Sequence, residues 1–324
     1  MSMAASLVPF QSDHFSLHQL ADGVYAAIAA DGGAAISNAG IVDLGGRTLV
    51  YDTFMTPQAG RDLRLAATQL TGREPELVVN SHYHNDHIWG NQAFGPETLF
   101  ISTARTLQLM QTSGSEELQW ARDVSARRLA AAKRDLEAAR DETALKDAKL
   151  WIGYFGGLAE ALPSLAVRFP DVTFERRLSI HGASRSVELI AFEHCHTGSD
   201  AILLLREAGI VFMGDLLFVG CHPYLDEADV STLRVTLEEL AGIGASVFVP
   251  GHGPVGSAQD VATNVEYIDA CVAAARRLVS QGPPSQDRIA RETPPGQFAA
   301  WGLARFFTAN LESLCSKLAP SQAG

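Results

Sequence analysis

Basic residues are in short supply: 25 Lys+Arg face 37 Asp+Glu, a formal net charge of −12 over 324 residues. A net-acidic surface repels phosphate backbones and anionic lipid. No basic groove is evident in the sequence, so neither nucleic acid nor membrane is expected among the partners. Long apolar runs are missing too; nothing approaches the ~18 consecutive apolar residues of a transmembrane helix. The stretch Met1-Ser2-Met3-Ala4-Ala5-Ser6-Leu7-Val8-Pro9 has neither a basic n-region nor a long apolar h-region. No secretory signal is visible there, and a cytoplasmic location is expected. Cysteine is sparse. Cys195, Cys221, Cys271 and Cys315 are widely spread and form no CxxC pair, which argues against a disulfide framework and against a thiolate zinc site.

What is present is a globular composition, 47% hydrophobic and 19% charged, with 28 Gly and 14 Pro. Short strand patterns at Val24–Ala29, Ser37–Asp43 and Arg47–Asp52 are punctuated by a Gly45-Gly46 hairpin signal. Thr56-Pro57 opens a helix through about Leu70, closed by Thr71-Gly72. The apolar run Leu77–Asn80 reads as a buried strand and Leu99–Ser102 as the next. From Thr103 to about Leu165 the texture changes to Ala, Arg, Glu, Leu and Lys at helical spacing. This region reads as one long helix or a helical pair, broken near Gly153 and Gly156-Gly157. Strands resume at Val187–Phe192, Ala201–Leu205, Ile210–Met213 and Ser246–Pro250, with helices at Ser231–Leu240 and Ala258–Ser280. Strands alternating with helices throughout imply a layered α/β protein, one domain over 1–324 with a helical insertion at 103–165.

Ten histidines are present, and His82, His84 and His87 fall within six residues, directly after a strand. Alternation puts His82 and His84 on one side, while Asp86 and His87 follow where the chain turns away. Imidazole and carboxylate are ligands of zinc, manganese and iron, and two adjacent sets suggest two metals. One loop cannot supply enough ligands. His196 ends an apolar strand, Asp215 follows Gly214 at the end of another, and His252 stands between Gly251 and Gly253 after a third. Each sits at a strand's carboxyl end beside small residues.

The ordered set His82-x-His84-x-Asp86-His87, His196, Gly214-Asp215 and Gly251-His252-Gly253 resembles the metallo-β-lactamase superfamily of metal-dependent hydrolases, from about Val24 to His252. The resemblance implies a four-layer αββα sandwich with metals at one edge between two sheets. It implies two divalent ions, zinc foremost, with Mn2+ or Fe2+ compatible. His82, His84 and His196 would bind the first, Asp86, His87 and His252 the second, and Asp215 both. Two such ions ~3.5–4 Å apart lower the pKa of a bridging water towards ~7. Asp86 would orient that nucleophile and pass a proton to the leaving group. Asp52 resembles a carboxylate that often supports a ligand histidine in this superfamily.

The expected activity is cleavage of an ester, lactone, amide or related bond in a small-molecule substrate. Alternatives on the same fold are a mononuclear-iron oxidoreductase of the persulfide-dioxygenase type, a glyoxalase II-like thioesterase and a β-lactamase. The missing signal peptide and the Asp at 215 disfavour the last. The text His196-Thr197-Gly198-Ser199, in place of HTPG, departs from glyoxalase II. His222 and Tyr224, on the loop after Asp215, are further catalytic candidates as donors to a substrate oxygen. His194 reads as a buried structural histidine, Cys195 as an inert core thiol, and Cys221 as a thiol without an activating partner. Trp89 and Phe94 read more readily as core than as a substrate platform. The 103–165 segment is expected to cap the cleft without touching the metals, and to contribute to a possible homodimer.

Overall fold

The structure is a computed structural model that describes residues 6–319. Residues 1–5, part of the stretch read as lacking a secretory signal, and residues 320–324, the end of the single domain, lie outside the described residues. An eight-stranded sheet runs in chain order: β1 Ser6–Val8, β2 Phe15–Ala21, β3 Val24–Ala29, β4 Ala39–Asp43, β5 Thr48–Tyr51, β6 Leu77–Val79, β7 Leu99–Thr103 and β8 Val172–Phe174. Pairing is antiparallel as far as β5 and parallel from β5 to β8. Parallel neighbours need crossovers. Helices supply them: α1 Pro57–Thr71, the single turn α2 Asn85–Ile88, then α3 Ala104–Gln111, α4 Ser113–Ala138 and α5 Glu142–Ala161 between β7 and β8.

The second sheet has five strands: β9 Arg177–His181, β10 Ser186–Glu193, β11 Ser199–Leu205, β12 Ile210–Phe218 and β13 Val247–His252. Its order is β13-β12-β11-β10-β9, and only β12–β13 is parallel, crossed by α6 Val230–Ala241. The helices α7 Ala258–Ser280, α8 Gln286–Ile289 and α9 Arg305–Leu318 follow.

Alternation on both sheets decides the layering. Val24, Ala26, Val42, Leu49, Tyr51 and Val79 face Leu189, Leu203, Leu205, Ile210 and Phe212 across the middle. On the opposite faces, Ile41, Val50, Val78 and Phe100 pack under Ala59, Leu63, Ala66 and Ala67 of α1. Val211, Met213 and Phe248 pack under α6, α7 and α9. The result is the αββα sandwich. Each fully buried Leu, Val or Phe contributes roughly 1.5–3 kcal/mol relative to exposure.

The local signals for α1 act as expected. Thr56 accepts from Ala59 N, Pro57 takes the first helical position, and Gly72 ends the helix in the left-handed conformation at φ 72°. The long helical region differs from the expectation. It is three helices, α3 to α5, with breaks at Thr112 and at residues 139–141, where Asp141 caps α5 by accepting from Ala144 N, and Gly153, Gly156 and Gly157 lie inside α5. The role of Gly153 and Gly157 is close packing. A Cβ at Gly153 would stand 2.6 Å from Gly33 O and one at Gly157 2.8 Å from Ala34 Cβ, so these glycines let α5 seat against the loop before β4.

Candidate metal centre

Five chain segments meet at one edge of the sandwich: the end of β5, the β6–α2 turn, the β10–β11 turn, the middle of β12 and the end of β13. They bring ligand atoms of His82, His84, His196 and Asp215 within 4.8 Å of one another, and those of Asp86, His87 and His252 likewise. Asp215 reaches into both sets. Its Oδ2 lies 4.0 Å from His82 Nε2 and 3.3 Å from His196 Nε2, and also 3.3 Å from His252 Nε2. Its Oδ1 lies 3.0 Å from His87 Nε2. Asp86 Oδ2 stands 3.3 Å from His252 Nε2 and 3.8 Å from His87 Nε2. Asp215 does not end its strand, as the sequence suggested. It lies within β12, where the register with β13 shifts around Gly214 at φ 52°. A Cβ at Gly251 would fall 1.9 Å from Asp215 Oδ1, so glycine there leaves room for the carboxylate.

The protons on the histidines follow from what lies behind them. Asp52, buried at φ 56°, accepts from Ser81 N and Ser81 Oγ, both at 2.7 Å, and faces His87 Nδ1 at 2.8 Å. With its hydroxyl hydrogen committed to Asp52, Ser81 Oγ can only accept from His82 Nδ1, 2.9 Å away. His84 Nε2 faces Glu227 Oε1 at 3.3 Å, and His252 Nδ1 faces Ile36 O at 3.2 Å. These partners take the N–H of each ring and leave His82 Nε2, His84 Nδ1, His87 Nε2 and His252 Nε2 as lone pairs turned inward.

Those lone pairs crowd one another. His84 Nδ1 lies 3.1 Å from His82 Nε2 and 3.2 Å from His196 Nε2. His87 Nε2 and Asp215 Oδ1 are buried without a hydrogen-bond partner. Buried acceptors aimed at one another are unfavourable unless a cation stands between them. This nitrogen and oxygen donor set fits a divalent metal.

In the metal-free protein, protons take part of that role. Burial acts to lower His87, but the charges of Asp215, Asp86 and Asp52 outweigh it and raise its pKa well above the imidazole range. Burial likewise opposes protonation of His84, yet the Glu227 hydrogen bond and the Glu117, Glu227 and Asp86 charges raise it to about 9. His252 is raised against burial by Asp215 and Asp86. Burial dominates at His82, which is held low, and at His196, held at about 3. Burial pushes the Asp52 carboxyl up, opposed by His87 and Ser81.

The centre opens into a cavity of about 640 Å³. Its floor includes His84, Asp86, Asp215 and His252. Its walls come from Tyr83, from α4 and α5, and from Tyr224, Phe218 and the start of α9. Tyr224 lines it with its ring centroid 6.2 Å from His84 and 6.5 Å from His196. His222 is a correction to the sequence reading. It is buried away from the cavity, its Nδ1 lies 2.9 Å from Tyr267 Oη, and its ring packs against Trp301 and Phe307. Its backbone N donates to Gly302 O, which pins the residue towards the C-terminal segment, and burial holds it at about 4.

His194 is a second correction. It is exposed at φ 56°, because the chain leaves β10 in a left-handed turn that ends strand alternation. Cys195 is buried, with Sγ 3.3 Å from Thr236 Oγ1. Cys221 is buried as well, and burial pushes its thiol up to about 12. Trp89 and Phe94 are core residues.

Sequence reasoning missed Glu227, Glu117 and Tyr154. Glu227 also accepts from Tyr83 Oη at 2.5 Å. Glu117 Oε2 accepts from Asn85 N at 3.1 Å, and Tyr154 Oη from Asn85 Nδ2 at 2.9 Å. The α4–α5 pair therefore holds the residue between His84 and Asp86, closer to the ligands than a cap that stands clear of them. None of the three stands in a motif, so no local signal marks them.

The profile of the metallo-beta-lactamase superfamily matches residues 32–252. No curated protein matches the chain. Among solved structures, a metallo-beta-lactamase from Pontibacter korlensis is similar at 15% identity and a TM-score of 0.53, covering 82% of this chain and 99% of that one. A metallo-beta-lactamase from Erythrobacter litoralis, with beta mercaptoethanol in its active site, aligns at 16% identity and a TM-score of 0.57, with coverage of 82% and 99%. The metallo-beta-lactamase FIM-1 from Pseudomonas aeruginosa, in its mono-zinc form, aligns at 14% identity and a TM-score of 0.57, with coverage of 79% and 95%. With a profile match across most of the chain and seven nitrogen and oxygen donors gathered at the sheet edge, this protein belongs to the metallo-beta-lactamase superfamily.

Proposed function

We propose that this protein is a hydrolase with a binuclear centre, zinc being the expected metal, acting on an ester, lactone or amide of a small molecule. One observation carries the reading: two adjoining donor sets, joined through Asp215, stand at the floor of a cavity of about 640 Å³. His82, His84 and His196 would hold one ion, Asp86, His87 and His252 the other, and Asp215 both. Bound there, divalent ions supply a nucleophilic water at neutral pH and polarise the substrate carbonyl.

The chain's own groups do the rest. Asp52 and Ser81 hold His87 and His82 in the tautomers whose lone pairs face the centre. Asp86, which lines the cavity, orients the attacking water and takes its proton. As the water oxygen bonds to the acyl carbon and the bond to the leaving oxygen or nitrogen breaks, that proton passes to the leaving atom. Tyr224 offers its hydroxyl to a substrate oxygen; in the free protein that hydroxyl is parked on Asp226 Oδ2 at 3.2 Å.

The test is elemental analysis of the purified protein combined with assays on lactone, ester, thioester, β-lactam and phosphoester panels before and after chelation. Two zinc per chain and chelator-sensitive hydrolysis are expected. One iron per chain with oxygen consumption would instead identify the mononuclear oxidoreductase on the same fold.

A further inference from the structure

The cavity is chemically polarised along its length. Its acids gather at the metal end, where Glu117 bonds Asn85 N and Glu227 faces His84. From there a path of aromatic rings leads outward. Tyr224, beside the ligand histidines, is 5.2 Å from Phe306, and Phe306 is 6.0 Å from Trp151. The guanidinium of Arg305 lies over Trp151, 3.9 Å from the ring centroid.

That guanidinium is pre-positioned by the stack and by one bond to Asp147 Oδ2 at 3.2 Å, while Asp147 Oδ1 accepts from Trp151 Nε1. Four of its five N–H donors are left without a protein partner at this contact. Arg128 lines the same cavity, is exposed, and makes no ion pair within 4.0 Å among the described residues. Arg128 and Arg305 both line this cavity and both are exposed. Asp135, whose charge also reaches Arg305, does not line the cavity. Arg128 follows Glu117 by three helical turns on the same face of α4, about 17 Å at 1.5 Å per residue. In a chain with a net charge of −12, two exposed arginines line the wall of an aromatic cavity, one of them paired with Asp147.

We propose that the substrate has an extended aromatic or similarly apolar body, with its scissile bond at one end and a carboxylate at the other. The body lies along Tyr224, Phe306 and Trp151. The carboxylate is recognised by Arg128 and Arg305, which offer a planar fork to each oxygen. This substrate class rests on the hydrolase reading above; the binding site for the carboxylate does not.

The test uses the metal-loaded full chain and two esters that differ only at the far end, 4′-acetoxybiphenyl-4-carboxylate and its 4-carboxamide. The carboxylate is expected to be preferred at least tenfold in kcat/KM. Arg128→Glu should reduce that ratio at least tenfold, and Arg128→Lys, which keeps the charge and loses the planar fork, should reduce it less than Arg128→Glu does. A ratio near one in the wild type, or one unchanged in Arg128→Glu, overturns the proposal. Calorimetric binding of the product 4′-hydroxybiphenyl-4-carboxylate to the same proteins separates the two readings. Binding that Arg128→Glu weakens, with neither these esters nor any member of the lactone, ester, thioester, β-lactam and phosphoester panels turned over, overturns the hydrolase reading and keeps the carboxylate site. Turnover of both esters without discrimination overturns the site alone, as does absence of product binding.

Discussion

Asp52 Oδ2 lies 2.8 Å from His87 Nδ1, and the same carboxylate oxygen accepts from the Ser81 hydroxyl that in turn faces His82. One buried acid thus sets the tautomers of two histidines from different donor clusters, from a position whose backbone is left-handed at φ 56°. Aspartate and asparagine adopt that conformation more readily than most residues. Asp52→Asn should therefore keep the fold while removing the charge. Metal affinity is expected to fall about 10–100-fold, read by chelator competition alongside a far-UV spectrum. Unaltered affinity would show that the charge does not orient the ligands.

Asp215 sits between the two donor sets, and on the proposed binuclear reading Asp215→Ala would remove a negative charge from between two cations. Metal content and turnover should fall together. Full occupancy of both sites in this variant would rule out a bridging role.

At Gly251 a methyl group would lie 1.9 Å from Asp215 Oδ1 and 2.8 Å from the Gly214 carbonyl carbon. Gly251→Ala is expected to displace the carboxylate and to cost about 1–3 kcal/mol, the usual penalty of overpacking. Thermal unfolding of the metal-free form reads the strain; metal stoichiometry reads the displaced ligand.

Because His84, His87 and His252 are all raised in the metal-free protein, metal uptake at pH 7 should release protons. Apparent affinity should rise with pH through about 9, where His84 loses its proton unaided. The His84–Glu227 pair also stabilises the metal-free fold fully below the ordinary imidazole pKa of ~6.5, and that contribution is lost as pH rises through about 9. Glu227→Gln should flatten both dependences. Calorimetry in buffers of different ionisation enthalpy counts the protons; an unchanged count would remove Glu227 from the scheme.

Tyr154 and Glu117 tie the helical pair to Asn85. Replacing α4 and α5 by a short Gly/Ser linker is thus expected to weaken metal binding as well as to alter substrate selectivity. Tyr154→Phe, which loses one hydrogen bond worth about 1 kcal/mol, should produce a small drop in affinity in the same direction. Intact metal affinity after the linker replacement would reduce the helices to a wall of the cavity.

Much of the layering was legible because its signals are local. Val24–Ala29 and Ala258–Ser280 appear at the expected bounds, and Thr56-Pro57 with Gly72 frame α1 through caps that act within four residues. The ligand motifs were legible for a related reason: a metal centre needs a fixed set of side-chain types at strand ends, so the residue letters themselves carry the signal. Three kinds of feature were not legible. Gly153 and Gly157 of α5 looked like helix breaks because their partners, Gly33 and Ala34, are far away in the chain. His222 and Tyr224 looked equivalent, since the contacts of His222 with Gly302 and Tyr267 that turn it away from the centre are with residues distant in the chain. Glu227, Glu117 and Arg305 had no motif to stand in. By itself the sequence determined which atoms could bind metal and most of the central strands and helices, though not β1, β2, β8, β9 or α9. The tertiary structure decided which protons those atoms carry and what the cavity beyond them can hold, because tautomers and cavity walls depend on contacts between residues distant in the chain.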